Sequence, residues 1–455
     1  MRSKGLLAPR GSMSSGWIRV AAIGGLALPI VIAQLGSILQ GWADTIMVGQ
    51  YGTPELSAAG FVNNVFNLII YFLLGISYAS TPVVGGAFSR GDYVDTLNAK
   101  RSSIFVNFMA SMFVVACLSL LYVNIENLGQ PEELMPLIKP YFLILLSSLP
   151  FLAVFNAYKQ FYDAIGNTKI SMWVMLVGNV LNIILNYILI YGRCGAPELG
   201  LNGAGIATLL SRIFMLLSLI LYRPKKSPLS KASATHPLGG LGGHSLHLTR
   251  LGIPISIQMC LEAGSFNVCA LFMGWIGATA LAAHQVMCSV STIGFMIYYG
   301  IGAAAAIRIA YFRGQGEWDE VKATARTALW MSLVSAVAVC VLVCGCCHLI
   351  SRAFTTSAEV AALFISFLPA FVAYQIGDCM QSIYANCLRA IEDVKYLMLF
   401  AFIAYCVVSV PFAYIFAFPL GMGANGVWWS FPFGLTTAGV LYLVRFHRSL
   451  ARFCR

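Results

Sequence analysis

The sequence predicts an all-α membrane protein of about twelve transmembrane helices in two pseudo-symmetric six-helix lobes. Three observations predict it. Hydrophobic residues make up 59% of the chain and charged residues 10%, with a mean hydropathy of +0.80, whereas an ordinary soluble domain carries ~25% charged residues. Apolar runs of about 20 residues, long enough to cross hydrocarbon, recur along the whole length. The stretch from Leu28 through Asp92 then recurs, shifted by about 225 positions, from Ile253 through Glu317.

The runs place spans at roughly 20–46, 56–86, 102–123, 134–160, 169–191, 200–222, 248–275, 281–308, 324–349, 358–387, 395–418 and 424–446. Residues 1–13, ending Leu7-Ala8-Pro9-Arg10-Gly11-Ser12-Met13, read as an expression-tag remnant. Residues 14–222 form an N-lobe of six spans and 248–446 a C-lobe of six. Between them lies a long polar loop, 223–247, rich in Pro, Ser, Gly and Lys as a flexible connector is. Residues 447–455 are a tail. An even number of spans per half gives both halves the same orientation, related by an axis along the membrane normal.

The repeat is carried largely by residues that set backbone shape. Pro29-Ile30 aligns with Pro254-Ile255, Gly49 and Gly52 with Gly274 and Gly277, Gly75-Ile76 with Gly300-Ile301, and Gly91 with Gly316. Further on, Ala164-Ile165-Gly166-Asn167 matches Ala390-Ile391-Glu392-Asp393, and Gly205-Ile206 matches Gly426-Val427. Pro29 and Pro254 fall inside the first span of each half. Each removes a backbone hydrogen bond and favours a kink, which serves either as a hinge or as a static bend.

Lys and Arg crowd into alternate loops, at Arg90, Lys100 and Arg101, at Lys169, through 223–231, at Arg313, Lys322 and Arg326, at Arg389 and Lys395, and in the tail. By the positive-inside rule these loops and both termini are cytoplasmic, in a plasma (inner) membrane. The net charge of +11 therefore reports topology, and nucleic acid is not an expected partner. The 13 cysteines have no disulfide-framework spacing, and the cluster Cys344-Gly345-Cys346-Cys347-His348 reads as helix packing rather than a metal site. No Walker lysine follows a Gly-rich loop, and no nucleophile–base arrangement is evident. The expectation is a protein that is not an enzyme, has no cofactor, and draws on an ion gradient, in which one charge crossing 100 mV yields about 2.3 kcal/mol.

An acid inside a span costs about 2.5–3.5 kcal/mol to insert, so each one needs a reason. Asp163 lies near the cytoplasmic end of its span, within reach of Lys159, and reads as an ordinary interfacial charge. Glu262 and Asp378 lie midway along spans seven and ten, too deep for a short side chain to reach water. They are either buried structural acids or a coupling-ion site for H⁺ or Na⁺, and hard cations prefer oxygen ligands. Tyr374, one turn before Asp378, offers a further oxygen. In the first half Asp44, Asn182, Asn186 and Thr208 lie at similar depth and form a second candidate ion or proton site, or polar glue between helices. Asn179, Arg212 and His284 are possible accessory residues. On balance the interior is acidic, which suits cationic substrates.

With these residues in place, the chain resembles the multidrug and toxic compound extrusion (MATE) family. The resemblance rests on Leu28-Pro29-Ile30 with Trp42-Ala43-Asp44-Thr45-Ile46-Met47-Val48-Gly49, on Leu181-Asn182-Ile183-Ile184-Leu185-Asn186, on Ala282-Ala283-His284-Gln285, and on Leu388-Arg389-Ala390-Ile391-Glu392-Asp393-Val394-Lys395. It implies two six-helix lobes in a V around a central cavity, with Na⁺ or H⁺ entry driving efflux of organic cations or amphipathic drugs, in a monomer. It implies ion-site roles for Glu262, Tyr374 and Asp378, as in the NorM-like branch, and for Asp44, Asn182, Asn186 and Thr208 in the N-lobe. Asn186 stands where the DinF-like branch usually has Asp, which puts a two-acid proton relay in the N-lobe in doubt.

Two alternatives share parts of this plan. A lipid-linked oligosaccharide flippase of the same superfamily commonly has a cationic cavity and often two more helices, neither of which is evident here. A major-facilitator transporter normally carries Gly-x-x-x-Asp-Arg-x-Gly-Arg in its second cytoplasmic loop, and this chain reads Gly85-Gly86-Ala87-Phe88-Ser89-Arg90-Gly91-Asp92.

Overall fold

A backbone amide in hydrocarbon has no water to bond, and a helix satisfies it within its own segment. The apolar runs accordingly fold as helices in the structure, a computed structural model that describes residues 16–128, 131–222, 229 and 242–453. The expected tag remnant, most of the expected linker and the end of the tail lie outside the described residues. Among the described residues, eleven helices are long and apolar enough to cross a membrane, and a bent pair makes a twelfth span.

The first half consists of α1 (Gly16–Tyr51), α2 (Thr53–Tyr78) continued by α3 (Ser80–Ser89), α4 (Tyr93–Val123), α5 (Met135–Ala164), α6 (Thr168–Tyr191) and α7 (Gly200–Leu221). The second consists of α8 (Gly242–Ile276), α9 (Ala278–Gln315), α10 (Trp318–Gly345), α11 (Cys347–Phe354), α12 (Ala358–Ser366), α13 (Leu368–Ala390), α14 (Lys395–Ala401), a π-helical segment Phe402–Ser409, α15 (Val410–Ala417) and α16 (Gly423–Phe453). Span ten, expected as one helix, is α12 and α13 meeting at 47° across Phe367. Pro369 explains the break, since a proline is tolerated in the first turn of a new helix but not in the interior of a continuous one.

The repeated residues do repeated work. Spans four and ten end in the same cap: Gly166 N bonds Asp163 O and Asn167 N bonds Tyr162 O, while Glu392 N bonds Arg389 O and Asp393 N bonds Leu388 O. Gly166 has φ +79° there and Glu392 φ +62°, both left-handed.

The chain folds into two compact units. One comprises Met1–Val31 with Ile257–Arg455, and the other Ile32–Ser256. The units therefore do not coincide with the halves of the sequence, because the opening stretch of each half's first helix is built into the unit that holds the other half. In the Ile32–Ser256 unit, Gly75 of α2 makes room for this: a Cβ there would meet Ser256 Cα at 2.4 Å. Ser256 Oγ also donates to Phe72 O at 2.6 Å. In the other unit Gly300 of α9 does the same for α1, and a Cβ there would meet Val31 Cγ2 at 2.3 Å.

Each unit has its own core. In the second, Phe66 and Phe142 meet edge to face at 5.0 Å among Leu73, Leu145 and Leu149. In the first, α13 and α16 lie close enough that a Cβ on Gly377 would meet Thr436 N at 2.8 Å, and Trp428 packs on Phe367 and Phe431.

Candidate functional site

In the Ile32–Ser256 unit the cluster is built on α1, α6 and α7. Small residues bring these helices together: a Cβ on Gly36 of α1 would meet Leu176 Cδ2 at 2.8 Å, and one on Gly178 of α6 would meet Met215 Cγ at 2.4 Å. Asp44 is half-buried. Its Oδ2 accepts from Gln40 Nε2 at 2.6 Å and its Oδ1 from Asn186 Nδ2 at 2.5 Å. Asn182 Oδ1 accepts from both of those amides, at 3.0 Å from Gln40 and 3.2 Å from Asn186, and Asn182 Nδ2 reaches Thr208 Oγ1 at 3.5 Å. All four predicted N-lobe residues are thus in one network. Neutral amides solvate a carboxylate without cancelling its charge, so the arrangement can take up a cation or a proton.

Asn179 holds Ser37 Oγ at 3.3 Å, a second α1–α6 link beside the network. Arg212 does not ion-pair with Asp44. Its Nη1 donates to Ser148 Oγ at 2.5 Å, and its charge reaches Asp44 only through space.

In the unit holding Ile257–Arg455 the cluster is built on α8 and α13. Glu262 Oε2 accepts from Gln258 Nε2 at 2.8 Å and from Gln381 Nε2 at 2.9 Å. Gln258 Oε1 in turn accepts from Arg389 Nη2 at 2.5 Å. Asp378 is 1% exposed, is hydrogen-bonded by Tyr374 one turn before it, and feels the charge of Glu262. The three predicted C-lobe residues therefore share one buried neighbourhood. The Arg389 guanidinium, joined to Glu262 through Gln258, offsets part of this charge, and two acids facing one guanidinium in low dielectric still gain from an added cation.

One expectation is corrected. Asp163 is 3% exposed and pairs with Lys159 Nζ at 2.9 Å inside the helix packing, so it is a buried ion pair rather than an interfacial charge. His284, a possible accessory residue, is 2% exposed and lies against Trp428 and Phe431, the rings that also face Tyr374. Pro29 and Pro254 both lie inside continuous helices, and the boundary between the compact units falls two residues after each, at Val31 and Ser256.

Sequence reasoning missed Gln40, Gln258 and Gln381, and it counted Arg389 among the loop cations, whereas Arg389 is buried near the end of α13. A signal existed for two of them: Gln40 and Gln258 each stand one turn before an acid within a span, on the same helix face.

A repeated set of apolar spans, with a differently built acid cluster in each unit, is the plan of a polytopic membrane transport protein. The chain belongs to the MatE family, whose model matches residues 29–188 and 254–415. The match falls once on each half and opens both times on the helix-one proline of that half. The probable multidrug resistance protein NorM of Bradyrhizobium diazoefficiens is 33% identical over 439 residues, covering 94% of this chain and 92% of that protein. The multidrug resistance protein MdtK of Edwardsiella ictaluri is 28% identical over 449 residues, covering 95% and 96%. A crystal structure of a MATE protein in the straight conformation superposes with a TM-score of 0.88 at 19% identity, covering 100% of this chain and 99% of that one, a likeness of fold. The family match sets aside the major-facilitator alternative.

Proposed function

We propose that this protein is a secondary active multidrug antiporter that exports organic cations or amphipathic drugs in exchange for Na⁺ or H⁺. It works as a monomer in the inner membrane with both termini in the cytoplasm. The observation that carries this reading is the pair of acid clusters: Glu262 hydrogen-bonded by Gln258 and Gln381 beside Asp378, and Asp44 hydrogen-bonded by Gln40 and Asn186. The names of the relatives, multidrug resistance proteins, support the choice of cargo.

A cation entering the C-lobe cluster compensates the Glu262 and Asp378 charges. It can drive a conformational change only by as much as it favours one conformation over the other. Helices α1 and α8 are the natural elements to bend, because each carries a proline, which removes a backbone hydrogen bond, two residues before the boundary between compact units. An organic cation competes for the same acids, so ion entry favours its release.

The test is drug uptake into inverted vesicles under an imposed Na⁺ or H⁺ gradient, comparing the parent with Glu262→Gln and Asp378→Asn. Loss of gradient-driven uptake in both variants is expected. Parent-like uptake in both would overturn the C-lobe coupling reading.

A further inference from the structure

Span eleven is not a uniform helix. Between α14 and α15 the segment Phe402–Ser409 is π-helical. Pro411 gives the local reason: it has no N–H for the carbonyl one turn before it, and its ring crowds that carbonyl, so the backbone widens ahead of it. Gly434 of α16 lets the widened turn sit close, since a Cβ there would meet Ser409 Cβ at 2.6 Å and Ala404 O at 3.2 Å. Within this segment Tyr405 is 1% exposed.

The Tyr405 hydroxyl is buried and has no hydrogen-bond partner among the described residues. The acids within electrostatic reach of it are Glu262 and Asp378. Two of the groups in that neighbourhood share its condition: Asp378 Oδ2 and Gln381 Oε1 are also buried and without partners among the described residues. The Gln381 amide cannot be turned round without loss, because its nitrogen is committed to Glu262 at 2.9 Å and its oxygen is therefore the atom left over. Tyr442, equally buried and also within reach of the Glu262 charge, differs in that its hydroxyl donates to Leu397 O at 3.4 Å.

Buried polar atoms in native structures are almost always bonded, so three unbonded oxygens around one acid pair call for an account. All three are hard donors, one carboxylate, one amide carbonyl and one phenol, of the type that binds a small hard cation. We propose that the Tyr405 hydroxyl and the Gln381 side-chain carbonyl are further ligands of the cation taken up at Glu262 and Asp378. The π-helical turn is what aims Tyr405 there. This rests on the coupling reading above. Taken up as Na⁺, the cation is coordinated by these oxygens. Taken up as a proton on one of the acids, it is stabilised by the phenol oxygen accepting from the carboxyl O–H, with Tyr374 and the Arg389–Gln258 pair as the other polar and charged groups facing the acids.

The test uses the full-length protein in proteoliposomes, with ethidium as the transported probe, driven by an imposed Na⁺ gradient in one arm and a pH gradient in the other. Tyr405→Phe is expected to raise the half-saturating Na⁺ concentration about tenfold, or to move the half-maximal pH about one unit lower, with the maximal rate retained. Tyr442→Phe, whose hydroxyl is already bonded, is expected to match the parent. Should Tyr405→Phe fail to fold, as judged by gel filtration and melting, Gln381→Asn carries the same prediction by withdrawing the carbonyl one methylene. A parent-like half-saturation in the folded variant, beside an Asp378→Asn variant that has lost coupling, would overturn the ligand assignment alone. Parent-like transport by Asp378→Asn in both arms would instead overturn the coupling reading on which the assignment rests.

Discussion

Gly75 and Gly300, about 225 positions apart, each receive the backbone of a helix at the residue two places after its proline: Ser256 against Gly75, and Val31 against Gly300. The first helix of each half thus enters the opposite unit through a gap that only a glycine leaves open. Close approach of this kind is what small residues in membrane helices permit.

Gly75→Ala is accordingly expected to destabilise more than Gly300→Ala. The added methyl at Gly75 meets backbone, which cannot give way, whereas at Gly300 the nearest atom is a side-chain methyl. A loss of about 1–3 kcal/mol at Gly75 is the expected scale for overpacking. Thermal melting of the two variants in one detergent checks the order, and equal melting temperatures would contradict it.

Gln258 joins Arg389 to Glu262, accepting from the one and donating to the other. Gln258→Leu breaks both bonds at once. It should cost about 1–3 kcal/mol, because it leaves charged groups with a lost partner in a buried site. It should also shift the half-saturating concentration of the driving ion. Gln258→Glu keeps the length and the link to Arg389 but faces Glu262 with a second acid, so the two variants should shift ion dependence differently.

In the other unit, the Asp44 carboxylate accepts from the amides of Gln40 and Asn186. Asp44→Asn removes the only acid of that network, and gradient-driven transport is expected to fall at least about tenfold. That is the order of one lost charge-assisted interaction. Asn186→Leu, which leaves the acid but withdraws one donor, should produce a smaller effect of the same sign. Transport by Asn186→Leu below that of Asp44→Asn would show that the asparagine acts on its own account.

Glu392 holds the left-handed position at the end of span ten that Gly166 holds at the end of span four, and it is paired with Arg313 Nη1 at 2.8 Å. A side chain with a Cβ costs roughly 1–2 kcal/mol in that conformation. Glu392→Ala keeps this cost and loses the ion pair, whereas Glu392→Gly loses the pair and the cost together. Glu392→Gly is therefore expected to melt above Glu392→Ala, by about 1 kcal/mol in stability.

The sequence by itself determined the number of spans to within the break at Phe367, the repeat, and the identity of the acids that need explaining. Each of these is local: a run of about 20 apolar residues is long enough to span on its own, and a carboxylate within it is costly wherever the helix packs.

Only the tertiary structure decided which polar side chains meet. Gln381 and Arg389 lie 119 and 131 positions from their partners Glu262 and Gln258. Such contacts depend on how α13 rotates against α8, which hydropathy does not encode. Burial was decided there too: His284 is covered by Trp428 and Phe431 from a distant helix, and Tyr405 is enclosed within a π-helical segment that no periodicity announces. The division of the chain at Val31 and Ser256, rather than at the linker, was decided there too, because it depends on Gly75 meeting Ser256 and Gly300 meeting Val31 once the helices have packed.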